Sequence, residues 1–249
     1  MGYIVHEGRR LFFREVGEGF PLLVLPGNTA SSAHHLADLD RLGQRYHAYA
    51  FDPYGTGQSD RTAVWPLDWW ALAARDSAAL MRAQGHNAWV TLGTSGGAIT
   101  ALWQAILFPE AVRLAVADSC TPCWTLDGLR QVVATRNQKL PGQIAFWRAG
   151  HGDDWEQVID ADSDLFLRFG ESGGDWFGGR LAEVRCPALL TGSFADSAIP
   201  NPGERLFEMA RQMPQADLYI SHRGDHPFMW SGAETFYAVL EPWLARNLI

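Results

Sequence analysis

The sequence predicts one large α/β domain built on a mostly parallel sheet, and three features carry that prediction. Short apolar runs rich in Val, Leu and Ala alternate with longer segments of helical period, the pattern of repeated βα units. The 249 residues suit one such domain, with or without an insertion, better than two small ones. The alternation fails once, between Thr121 and Val184. There a stretch of helical period and irregular turns reads as an insertion above the sheet.

The elements follow in order. "RRLFFREVG" reads as an early strand that can pair antiparallel at the sheet edge, and "PLLVLPG" (21–27) as a buried strand ending in a Pro-Gly loop. "SSAHHLADLDRLGQ" is a helix begun by a serine cap. "YHAYAFDPYGTGQSD" is a strand running into a glycine-punctuated loop. "PLDWWALAARDSAALMRAQG" opens on proline and closes on glycine, as helices do. A strand at 88–93, a helix at 96–108 stopped by Pro109, and the strand "VRLAVAD" (112–118) come next. After the irregular stretch the rhythm resumes with "PALLTG" (187–192), a helix after Asn201-Pro202, "ADLYIS", and a last helix from about Ala233.

Composition narrows the function. Hydrophobic residues make up 47% and charged residues 19%, a globular balance able to bury a core. A net charge of −8 offers no attraction to nucleic acid or anionic lipid, so neither is an expected partner. No run approaches the roughly 18 apolar residues of a membrane span, and charges interrupt the N-terminus before any leader-like core. Three cysteines make no disulfide framework, and a reducing cytoplasm is the expected compartment.

The chemistry concentrates in "WVTLGTSGGAIT" (89–100), where an apolar strand breaks into Gly-Thr-Ser-Gly-Gly and a helix begins. G-x-S-x-G in that setting is a nucleophile elbow, whose sharp turn needs glycines around the serine. Serine is a weak nucleophile without a base, and the base needs an orienting acid. Asp196 follows the strand "PALLTG", and His226 lies in a loop before the last helix. Ser95, Asp196 and His226 thus each sit just beyond a strand and project from one sheet edge, in the order serine, acid, base. The N–H of Gly96 and that of Asn28, in the loop "LPGNTAS", are the candidate oxyanion donors. Trp124, beside a strand end, and Phe228, just past His226, are the candidates to contact substrate.

On these residues the chain resembles the α/β-hydrolase family of cap-bearing serine hydrolases over nearly its whole length. "GTSGG" matches the elbow, "DPYGTGQSD" (52–60) matches the family's Asp-x-x-Gly-x-Gly-x-Ser loop, and Asp196 and His226 stand at the acid and base positions. The oxyanion loop departs from the usual His-Gly, reading Pro26-Gly27. The resemblance implies an eight-stranded, mostly parallel sheet flanked by helices, with residues 1–120 and 185–249 as core and 121–184 as a small helical cap after the sixth strand. It also implies cofactor-free hydrolysis of esters, lactones, amides or activated carbon–carbon bonds. The expected activity is cleavage of a small, uncharged carboxylic ester through an acyl-enzyme. A sensor that keeps the triad but signals through its lid is the alternative of another class.

Several rival features carry blander readings. His222 and His226 have H-x-x-x-H spacing, but Gly224 and Pro227 break the helix that a zinc pair needs. "CTPCW" (120–124) has redox spacing without a redox fold, so its cysteines read as small apolar residues. "DADSDLFLRFGE" (160–171) has calcium-loop carboxylate spacing but Leu165 where glycine must turn. An acidic helix face with Leu165, Phe166 and Phe169 inward is the expectation. Neither metal nor cofactor is expected. His34 and His35 read as helix surface. Asp118 is the rival acid, and its expected alternative role is to cap the turn near Cys120.

Overall fold

The computed structural model describes residues 1–248. Eight strands form one sheet in the order β1-β2-β4-β3-β5-β6-β7-β8. They are β1 (Gly2–His6), β2 (Arg9–Val16), β3 (Pro21–Leu25), β4 (His47–Phe51), β5 (Trp89–Thr94), β6 (Val112–Asp118), β7 (Ala188–Ser193) and β8 (Ala216–Ser221). The β1–β2 and β2–β4 pairings are antiparallel, and every pairing from β4 onward is parallel.

The central strands are apolar throughout because both faces of the sheet are covered. In β3, Leu23 and Leu25 join one core cluster while Leu22 and Val24 join the other. Side chains alternate across a strand, so adjacent residues feed opposite layers. One layer is closed by α2 (Trp69–Ala83) and α3 (Gly96–Leu107), the other by α1 (Leu36–Leu42) and α9 (Ala233–Asn247). The chain leaves β3 for β4 on one side and later enters β5 on the other. The strand order therefore reverses between β3 and β5, and a crevice opens beyond their C-terminal ends.

The irregular stretch becomes three helices between β6 and β7: α4 (Leu126–Arg136), α5 (Pro141–His151) and α6 (Trp155–Glu171). The segment 160–171 is continuous helix within α6, not a calcium loop. Leu165, Phe166 and Phe169 are buried as expected, but Asp162 also points inward and is fully buried. Phe169 stacks on Trp176 at 4.2 Å between ring centroids, and Trp70 of α2 packs edge-on against both.

Two readings of the sequence need correction here. The sheet edge is β1, not β2. "GYIVH" is short, with Tyr3 and Val5 turned to solvent, and so carries little hydrophobic signal. His34 and His35 are not surface residues. His35 is fully buried, with Nδ1 2.8 Å from Asp38 Oδ2, and His34 stacks on Phe146 at 3.9 Å. They lie in a short 3-10 turn, Ser32–His35, that precedes α1 and faces α5 rather than water. Among the described residues no helix is long and apolar enough to cross a membrane. Pro202–Ala210 (α7) and Phe228–Ser231 (α8) complete the helices.

Candidate active site

Ser95 sits at the junction of β5 and α3 with φ 54° and ψ −122°, a strained conformation for a residue with a side chain. The surrounding glycines explain how the turn holds it. A Cβ on Gly93 would strike the carbonyl of Gly97, and one on Gly97 would strike that of Leu25. A Cβ on Gly96 would collide with Asn28 Oδ1, and it would lie 3.0 Å from Asn28 N. The glycines thus permit close approaches, of backbone at Gly93 and Gly97 and of the Asn28 side chain at Gly96, that any Cβ would block. The Ser95 N–H donates to the Asp118 carbonyl at 2.8 Å, fixing the elbow to the next strand.

Ser95 Oγ lies 2.9 Å from His226 Nε2, and His226 Nδ1 lies 2.9 Å from Asp196 Oδ2. The other oxygen of Asp196 accepts from the N–H groups of Ala198 and Ile199 at 2.9 and 3.0 Å. That leaves the Asp196 carboxylate buried and oriented. Asp225, which sequence reasoning passed over, joins the two loops: it accepts from the N–H of His226 and from the N–H and hydroxyl of Ser197. These bonds hold its carboxyl below the ordinary aspartate range. Its position beside His226 was the only signal in the sequence.

Among the described residues, neither the Asn28 N–H nor the Gly96 N–H has a hydrogen-bond partner. Gly96 opens α3, where the first N–H groups of a helix are free by construction. Both residues border a pocket with Ser95 and His226, walled by Ile99, Trp124, Phe166, Trp176 and Ile199. Its empty volume is about 310 Å³ counting the mouth. Trp124 is thus among the residues that line the pocket. Phe228 does not: it is fully buried against Phe236 and Tyr219 in the core layer behind the base loop. Its place just after His226 misled, because the chain dives into the core at that point. Ile99, Phe166, Trp176 and Ile199 were missed as pocket residues, since apolar side chains lining a cavity look like core in a sequence.

Asp118 does not touch His226. Its carboxylate accepts from Thr94 Oγ1 at 3.0 Å, Thr191 Oγ1 at 2.7 Å and the Met229 N–H at 2.9 Å. It clamps the ends of β5 and β7 to α8, rather than capping the turn near Cys120. Complete burial pushes its carboxyl up to about 6. His222 is exposed and packs beside Phe194, and the three cysteines are free. Asp52 of the "DPYGTGQSD" loop is also internal scaffolding, receiving the N–H groups of Ser32 and Gln58. Among the described residues no cluster of three or more His, Cys, Asp or Glu side chains is arranged to hold a metal.

A switch-point crevice with a strained serine between β5 and α3 defines an α/β hydrolase, and the chain belongs to that family. It is 36% identical to serine hydrolase BPHL of Mus musculus, over 96% of this chain and 84% of that protein. It is 33% identical to the Homo sapiens protein of the same name, with the same coverage. No family model matches. Among solved structures, an esterase (EaEST) from Exiguobacterium antarcticum shares the fold with TM-score 0.80 and 18% identity, covering 98% of this chain and 100% of that one. The enol-lactonase from Burkholderia xenovorans LB400 does so with TM-score 0.79 and 14% identity, covering 98% and 99%. The protein is a hydrolase.

Proposed function

We propose that the protein cleaves a small, uncharged carboxylic ester through an acyl-enzyme formed on Ser95. The observation that carries this reading is the unbroken line Ser95 Oγ, His226 Nε2, His226 Nδ1, Asp196 Oδ2, with two unpartnered N–H groups beside it. His226 takes the Ser95 proton as the oxygen attacks the acyl carbon. The N–H groups of Asn28 and Gly96 receive the charge that develops on the carbonyl oxygen. His226 then gives its proton to the departing alkoxide, releasing the alcohol. It next removes a proton from water, whose attack on the acyl-enzyme frees the acid and Ser95. Asp196 holds the imidazole in the tautomer that accepts at Nε2.

The pocket's size and apolar walls favour a short, uncharged acyl group. Trp124, Phe166 and Trp176 all come from residues 121–184, which supports the role of that segment as a cap. A second depression, lined by Trp124, Gln131, Thr135 and Pro200, shares Trp124 with this pocket.

The test is a fluorophosphonate probe with a panel of acyl esters, lactones, amides and vinylogous diketones. The wild type should be labelled, Ser95→Ala should not, and short-chain esters should turn over far beyond one equivalent. Labelling of both proteins rules out Ser95. Turnover only on another member of the panel would replace the ester assignment.

A further inference from the structure

Asn28 is fastened by its side chain as well as exposed at its backbone. Its Nδ2 donates to Asp162 Oδ1 of α6, and its Oδ1 accepts from Trp70 Nε1 of α2 at 3.1 Å. One anchor comes from the inserted helices and the other from the sheet's own layer. Asp162 is completely buried, and its second oxygen stands 2.5 Å from Arg136 Nη1 of α4. The Arg136 guanidinium lies 4.4 Å over the ring of Phe166, which lines the pocket.

A buried ion pair of this kind is poorly explained by stability, because apolar residues of similar volume usually serve a fold as well or better. A carboxylate is, however, the strongest acceptor available to orient a neutral amide. The loop needs such orientation. Thr29 has φ 63°, and Asn28 lies outside any helix or strand. Asn28 Oδ1 also occupies the space that the missing Cβ of Gly96 leaves open. Moving the side chain therefore changes the separation of the two free N–H groups.

We infer that Asp162 and Trp70 are positioning residues that clamp the Asn28 side chain and so aim its backbone N–H at the developing oxyanion. The inserted helices thereby set the rate of acyl transfer without touching the reacting atoms. This rests on the proposed role of the Asn28 N–H. Loss of one oxyanion donor costs about 10²–10³ in rate, and a misplacement near 1 Å can cost about 10².

The experiment measures the acylation rate and KM for p-nitrophenyl acetate. R136M/D162N and R136M/D162L both remove the buried charges, but only the first keeps an acceptor for Asn28 Nδ2. The first should acylate within about threefold of wild type and the second about 30-fold more slowly, each with KM within about twofold. Trp70→Phe should slow acylation in the same way. Asn28→Ala keeps the backbone N–H and loses only the handle. It should be slow, and adding Trp70→Phe or R136M/D162L to it should slow it no further. Wild-type acylation in Asn28→Ala overturns the inference, as do additive losses in the combined variants. If R136M/D162L does not fold, the Asn28→Ala and Trp70→Phe cycle decides the point alone. A wild type inert to ester and probe would instead overturn the proposed function itself.

Discussion

Asp196 Oδ2 reaches His226 Nδ1 at 2.9 Å, across 30 residues of chain, and the two loops are joined again where Asp225 receives Ser197. Asp196 and His226 are therefore held by a shared scaffold rather than by one contact. In Asp196→Asn that scaffold remains, but the amide offers His226 the wrong partner. The turnover number should fall by up to about 10⁴-fold with an unchanged circular dichroism spectrum.

Asp118→Asn should show the reverse pattern. Three donors converge on that carboxylate, and an amide would turn N–H groups against some of them. The expected cost is about 1–3 kcal/mol of stability, read from a urea melt, with turnover reduced roughly tenfold or less. A turnover loss matching that of Asp196→Asn would move the acid to Asp118.

Gly96→Ala places a methyl group against Asn28 Oδ1. The loop that carries Asn28 must move to admit it, straining the Asn28 bonds to Asp162 and Trp70, so acylation should slow by about 10²-fold and the melting temperature should fall. Acylation at the wild-type rate would mean that the spacing of these two residues is irrelevant to the reaction.

His151, at the end of α5, accepts from the Gly57 N–H at Nδ1 and bonds the Thr29 carbonyl through Nε2. It links the inserted helices to two loops beneath the site. Burial lowers its pKa from 6.5 to about 4. The neutral ring is the form that fits, so an unfolded chain takes up the proton first as pH falls. The stability His151 contributes is intact above 6.5 and is lost between there and about 4, by at most roughly 3 kcal/mol. Thermal melts across that range should show a shallower pH dependence for His151→Gln than for wild type. Parallel curves would remove His151 from the acid sensitivity.

Thiol titration of the unfolded, unreduced protein should find three free thiols. In the native state half-buried Cys123 should react before Cys120, whose thiol burial pushes up. A single thiol in the unfolded protein would mean that two of the three are bonded and would revive the Cys120–Cys123 pairing.

The elbow, the strand rhythm and the order of Ser95, Asp196 and His226 were legible because each depends on short-range chemistry. A G-x-S-x-G turn needs its glycines within a few residues, and a buried parallel strand needs an uninterrupted apolar run. Strand β1 was not legible, because its exposed Tyr3 and Val5 blur the alternation that marks a half-buried strand. Phe228 illustrates the opposite error, in which nearness along the chain to His226 stood in for nearness in space.

The sequence by itself determined the parallel sheet, the inserted helical stretch and the three residues that end in line beyond the strands. Local backbone demands and hydrophobic periodicity write those into neighbouring positions. Only the tertiary structure decided that Asp118 serves β5, β7 and α8, that His34 and His151 bind the inserted helices to the loops, and that Asp162 grips Asn28. Asp162 and Asn28 are 134 residues apart in the chain. A polar residue's role depends on which partner replaces its lost water. For residues so far apart, that partner exists only once the sheet has brought the loops and helices together.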